Sequence, residues 1–223
     1  MNRLILAAAL LAAASCAPGG GGHGQRMRLT ADPSAVIAAE LGLAQLALIK
    51  GRSAAFRETA APDAELFMPQ RVRAADWLKG RADPEAPIRW QPHAVWSSCD
   101  GTYAVTRGAW QRAGASGRFA TLWQRQERGD YKWLLNLTLP GKDAQAAPEM
   151  VPAKVAACER GATIIPWSPP PAGTDAKIRF SPDLTLQWSS SVDAGGAPLL
   201  MALIWNGTSF DEALRMGGVR SES

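Results

Sequence analysis

The sequence predicts an α+β protein in which N-terminal helices pack on an antiparallel sheet, followed by a small C-terminal antiparallel β unit. Apolar residues recur at helical spacing over 35–50, four strand-like runs separated by turn signals fill 88–139, and four further short runs fill 176–214 after a Pro-rich break at 166–173. With 223 residues, the chain has room for one good-sized domain and a small second unit. The net charge of +4 is scattered and no Lys/Arg run occurs, so the composition gives nucleic-acid binding no support.

Asp32, Pro33 and Ser34 form a helix start: a capping side chain with Pro at the first turn. Val36, Ile37, Leu41, Leu43, Ala44, Ala47 and Leu48 then mark the apolar side of a helix that Gly51 stops. A second helix runs from Ser53 to about residue 60, with Phe56 facing inward. Pro62-Asp63 reads as a turn, 65–68 as a short strand ending at Pro69, and 73–79 as a short helix carrying Asp76, Trp77 and Leu78. Strands follow at 88–98, 103–111, 118–127 and 131–139, with Asp100-Gly101 as the sharpest turn signal. Residues 140–159 read as a linker with a short helix at 151–158. Residues 160–217 form a β appendage with Asn206-Gly207 as a hairpin turn, and 218–223 are a tail.

The first 15 residues read as an export signal: Arg3, an apolar stretch over 4–14, then small residues before Cys16. The apolar stretch falls short of the roughly 20 residues a spanning helix needs. Ala-Ala-Ser-Cys resembles a lipobox, in which Cys16 is lipidated and becomes the new N-terminus, although Ala13 stands where Leu is usual. Residues 16–31, with Gly19 to Gly22, form a flexible tether. The expected location is the periplasmic side of the cell envelope, held to the membrane by the N-terminal lipid. Ala17 is compatible with outer-membrane sorting, and ordinary cleavage to a soluble periplasmic protein is the alternative. In that oxidising compartment Cys99 and Cys158 form an even pair expected to be disulfide-bonded, with two isolated thiols as the alternative.

The order helix, helix, short strand, helix, four-stranded meander resembles the nuclear transport factor 2-like superfamily, which includes ketosteroid isomerases and polyketide cyclases. The resemblance covers 34–139 and rests on Gly108-Ala109-Trp110, on Phe119-Ala-Thr-Leu-Trp123-Gln-Arg125, and on Gly129-Asp-Tyr-Lys-Trp133-Leu-Leu. These runs are similar to the paired terminal strands of small exported members of unassigned function. The resemblance implies a cone-shaped domain over 32–139, in which a curved sheet wraps the helices and leaves a pocket at the wide end.

Side chains alternate along a strand, so pairing Gln126 with Lys132 sets Arg125 against Trp133 and Trp123 against Leu135. Thr121, Phe119, Trp110, Gly108 and Thr106 extend that face, which is apolar and is therefore expected to lie under the helices. Phe67, Trp77, Trp90 and Trp96 join the candidate lining. Gln124, Gln126, Lys132 and Asn136 are expected on the other face. Arg125 either sits at the mouth, where it would bind an anion, or reaches solvent at the strand end. The aromatics either fill a core or line a ligand site.

Acid–base chemistry needs a positioned group of tuned pKa. The strand face offers no carboxylate, and Leu135-Asn136-Leu137-Thr138 stands where many relatives carry a His or Asp. His23 lies in the tether. The one constellation that can be built is His93 with Asp76, set against a simple structural role for His93. No metal motif, phosphate loop or nucleophile elbow occurs, and no cofactor is expected. Three functions remain: a module binding a small apolar or amphipathic ligand or a protein partner, an isomerase, cyclase or hydratase using His93 or Asp76, and a structural role in which the appendage closes the cone.

Overall fold

The computed structural model describes residues 30–68, 70–83, 87–141, 146–159 and 175–217. The leader, Cys16, His23, nearly all of the tether, residues 160–174 and the tail lie outside the described residues.

Asp32 starts helix α1 (Pro33–Lys50): its carboxylate accepts the Ala35 N–H at 3.1 Å, and Pro33 occupies a first-turn position that needs no N–H. Gly51 ends the helix with a φ of 87° and returns its N–H to the Ala47 carbonyl. A Cβ at this position would lie 2.0 Å from Asp83 Oδ2, so both backbone and space require glycine. Helix α2 (Arg52–Thr59) follows at once, with its Ser53 N–H donated to Asp83 Oδ1 at 2.6 Å.

Strand β1 (Ala60–Met68) runs through Pro62-Asp63, and what reads as a turn in the sequence is a local irregularity in strand pairing. β2 (Gln70–Arg73) folds back on β1, and the short helix α3 (Ala74–Trp77) follows. The meander is β3 (Arg89–Ser97), β4 (Tyr103–Arg112), β5 (Ala115–Arg125) and β6 (Tyr131–Gly141). The linker contains no helix at 151–158; it contains strand β7 (Ala153–Val155), parallel to β3. The reason is the open edge of β3: Val95 N–H donates to the Pro152 carbonyl and the Ser97 carbonyl accepts from Ala156 N–H, bonds that a helix would leave unmade. The seven strands lie in the order β2-β1-β6-β5-β4-β3-β7, with β1 parallel to β6 and the meander antiparallel.

Helices cover one face of this curved sheet. Val36, Leu43, Phe56, Leu66, Ala74 and Leu78 meet Val95, Trp123 and Trp133 there. The other face is covered by a second antiparallel sheet of β8 (Asp175–Phe180), β9 (Leu186–Val192), β10 (Pro198–Trp205) and β11 (Phe210–Gly217), ordered β11-β10-β9-β8. Val105, Ala120, Leu122, Leu135 and Leu137 pack with Leu186, Trp188, Leu200, Ile204, Leu214 and Met216. Burial on both faces leaves five successive residues of β5, Phe119–Trp123, buried.

Ties at both ends fix the second sheet. Arg71 reaches Glu65, Asp175 and Ser190, and Lys177 also pairs with Glu65. At the far end Cys99 and Cys158 are disulfide-bonded, with Cα atoms 5.2 Å apart. Beside them Cys99 N–H donates to Thr185 Oγ1 at 2.9 Å.

One irregularity decides which residues face the helices. Trp123 pairs with Trp133, but Leu122 pairs with Leu135, so Leu134 is an extra residue in β6. Past this bulge the alternation reverses. Leu135 therefore lies on the second-sheet side, against the expectation, and Asn136 turns to the helix side beside Thr121.

Candidate functional site

A cavity of about 190 Å³ lies between α2 and the ends of β3–β6 remote from the Arg128–Asp130 turn. Arg52 and Phe56 reach it from α2, one helical turn apart. Ile88 and Trp90 close it at the start of β3, and Trp110 and Arg112 at the end of β4. Phe119 of β5 and Asn136 and Thr138 of β6 complete the wall.

Two cross-strand glycine–aromatic pairs shape this wall. Gly108 faces Phe119, and Gly117 faces Trp110. A Cβ on Gly108 would lie 2.6 Å from the Phe119 ring and 2.0 Å from the Gln91 carbonyl. A Cβ on Gly117 would lie 2.6 Å from Trp110 Nε1. The missing side chains let the Trp110 ring cross β5 and donate to the Leu139 carbonyl at 3.1 Å. The neutral polar groups are used internally: Thr138 Oγ1 donates to Asn136 Oδ1 at 3.1 Å, and Asn136 Nδ2 donates to Thr121 Oγ1 at 3.0 Å.

Behind Trp90 lies a carboxyl group that the strand pattern does not reveal. Glu40 of α1 is fully buried. Its Oε1 accepts Trp90 Nε1–H at 2.8 Å; its Oε2 accepts Thr106 Oγ1–H at 2.6 Å and Trp123 Nε1–H at 3.1 Å. Burial holds the carboxyl above the ordinary range, while bonds from Thr106, Trp90, Thr121 and Trp123 draw it back. Glu40 is not among the cavity-lining residues. It pins α1 to β3, β4 and β5. The signal for it was the spacing Val36, Glu40, Leu43, which is the buried stripe of α1; Leu41 and Leu48 of the expected stripe face outward.

His93 lies apart from this cavity. It borders a groove of about 530 Å³ between α1 and the β3–β4 edge, which the Trp90–Trp110 cross-strand pair separates from the cavity. Its Nε2 is buried without a hydrogen bond. Burial, then the charge of Arg107, holds its pKa below the usual histidine value. Asp76 is on the surface of α3, its side chain 81% exposed and 3.9 Å from Arg73, so the fold does not bring it to His93.

The remaining candidate residues divide by face and by end. Trp110 and Phe119 line the cavity. Trp123 and Trp133 are core; Trp133 donates to the Phe56 carbonyl at 2.9 Å. Thr121 is buried beside Asn136. Phe67 and Leu135 belong to the opposite core, because Phe67 alternates with the helix-facing Leu66 and Leu135 follows the bulge. Trp77 lines a separate recess between α2, α3 and β1, with Arg81 stacked 3.6 Å from its ring centre. Arg125 stands beside Gly129 and Tyr131 at the β5–β6 turn, at the other end of the strand from the cavity. The arginines at the cavity are Arg52 and Arg112. Each could have been found by spacing: Arg112 is two residues beyond Trp110 on one strand face, and Arg52 is four before Phe56 on one helix face. Among the described residues no cluster of His, Cys, Asp and Glu is fit to hold a metal.

No protein-family model matches the chain, and no curated protein matches it. Among the solved structures similar to it is a "putative ketosteroid isomerase" from Kribbella flavida DSM 17836. The two are 14% identical and superpose with a TM-score of 0.35 over 55% of this chain and 87% of that one. At that identity and superposition the likeness carries no argument about the chemistry of this chain.

Proposed function

We propose that this is an exported envelope protein whose first domain is a nuclear transport factor 2-like cone that binds a small apolar or amphipathic molecule without transforming it. The observation that carries this reading is the character of the cavity. Four of its nine lining residues are aromatic, its neutral polar groups bond to each other or to Thr121, and the nearby buried acid, Glu40, is sealed behind Trp90. The separation of His93 from Asp76 favours binding over acid–base catalysis. Lipidation at Cys16, on the periplasmic side and at the outer membrane, belongs to the same proposal. Cys16→Ala should then yield an unprocessed or soluble protein, and unchanged membrane partition of that variant would remove the anchor from the account.

A cavity of this size suits a single ring or a short chain, since an engineered apolar cavity of about 150 Å³ holds benzene. Trp90 and Trp110 report on occupancy through their fluorescence. Titration with straight-chain alcohols should perturb that emission saturably. Thr138→Phe, which fills the space from the β6 wall, should abolish the response with the fold retained. An unaltered response in the filled variant would overturn the cavity as the site.

A further inference from the structure

Among the described residues the cavity is lined by two arginines, Arg52 and Arg112, and by no carboxylate. Arg52 is partly buried, and its guanidinium lies 5.0 Å from the Phe56 ring centre. Burial works against its charge; Asp83 offsets part of that cost, and the like charge of Arg112 adds a smaller cost of its own. Yet Asp83 makes no ion pair with Arg52, and its Oδ1 is engaged by the Ser53 N–H at 2.6 Å. Among the described residues neither Arg52 nor Arg112 has a side-chain hydrogen bond or an ion pair. Arg71 is the internal contrast: also partly buried, it has Glu65, Asp175 and Ser190 as partners. A partly buried guanidinium ordinarily acquires such a set, because its desolvation must be offset. Arg52 borders both this cavity and the recess at Trp77 that holds Asp83; its guanidinium has the Phe56 ring beneath it, and the other charge at the cavity is the cation Arg112.

We propose that the molecule taken up by the cavity is a carboxylate: a ring or chain of about six to eight carbons whose anionic end lies between Arg52 and Arg112. The apolar part rests among Phe56, Trp110 and Phe119, and the planar guanidinium of Arg52 presents paired donors to the carboxylate oxygens. This rests on the cavity being a binding site. It adds that charge selects the ligand, with Arg52 as the specificity residue and Arg112 as its support at the rim.

The test compares octanoate, octanol and octylammonium by tryptophan fluorescence and calorimetry on the full mature chain. Octanoate should bind at least about tenfold more tightly than octanol, and octylammonium should bind most weakly. Arg52→Gln should remove the preference for octanoate over octanol, read as the ratio of the two affinities in that variant. Arg112→Gln, an exposed position where folding is not at stake, should reduce the preference and its dependence on salt. Equal binding of octanoate and octanol by the unaltered protein overturns the selection by charge and leaves the cavity reading standing. Saturable binding of none of the three overturns both.

Discussion

Trp90 serves two environments at once: its Nε1–H donates to Glu40 Oε1 at 2.8 Å, and its ring forms part of the cavity wall. The buried carboxyl and the cavity are therefore mechanically joined. A change at Glu40 moves a wall of the site although Glu40 does not reach it.

Glu40→Ala leaves the Trp90 Nε1–H without its partner in the core, removes one of the two acceptors that Trp123 and Thr106 each have, and opens a void. The expected loss of unfolding free energy is about 3–5 kcal/mol, read from urea denaturation at neutral pH. A loss near that of an exposed substitution would contradict the pinning role given to Glu40.

The pH dependence has a defined sign. The folded pKa of Glu40 lies above its unfolded value, so the folded chain holds that proton more tightly. Its contribution to stability is full below the unfolded pKa of about 4.3 and is lost as the pH rises through the folded pKa. The stability of the natural protein minus that of Glu40→Gln should therefore decline as the pH is raised from 4. The subtraction cancels His93, whose lowered pKa acts in the opposite sense, giving stability that is lost as the pH falls. A difference that is flat with pH would contradict the raised pKa.

Gly108→Ala and Gly117→Ala insert a methyl group against a carbonyl and an aromatic ring. Each should cost about 1–3 kcal/mol and shift the emission of Trp110. Combining Gly108→Ala with Phe119→Leu, which shortens the opposing ring, should recover part of the loss. Thermal unfolding of the two variants and the double variant checks this, and full additivity would remove the pairing argument.

The Cys99–Cys158 bond closes a loop of 59 residues and ties the β3–β4 turn to the segment after β7. In the chain-entropy treatment it contributes about 4 kcal/mol. Thiol labelling of the denatured, non-reduced protein should find both blocked, and the Cys99→Ser/Cys158→Ser variant should unfold at markedly lower urea. Free labelling at both positions would rule the bond out.

The element order was legible because its signals are local: Asp32 and Gly51 bound α1, and Asp100-Gly101 and Asn206-Gly207 turn the strands. Features that depend on tertiary contact were not legible. The Leu134 bulge has no local signature, and by reversing alternation it exchanged Leu135 for Asn136 on the helix side. Strand β7 exists because β3 has an edge to cover, which composition alone does not announce. Glu40 was hidden by the habit of reading charge as surface, although its spacing placed it on the buried stripe. The strand face that carries Trp110 and Phe119 leads to Arg125 at one end and to Arg112 at the other, and only the tertiary fold decides that the cavity lies at the Arg112 end.

The most direct test of the account is a crystal structure of the protein soaked with 6-bromohexanoate, read by the anomalous signal of bromine. The account places bromine among Phe56, Trp110 and Phe119 and the carboxylate within hydrogen-bonding distance of Arg52, with Trp90 still bonded to Glu40. Bromine found only outside this cavity, or the carboxylate turned away from Arg52 and Arg112, would contradict it.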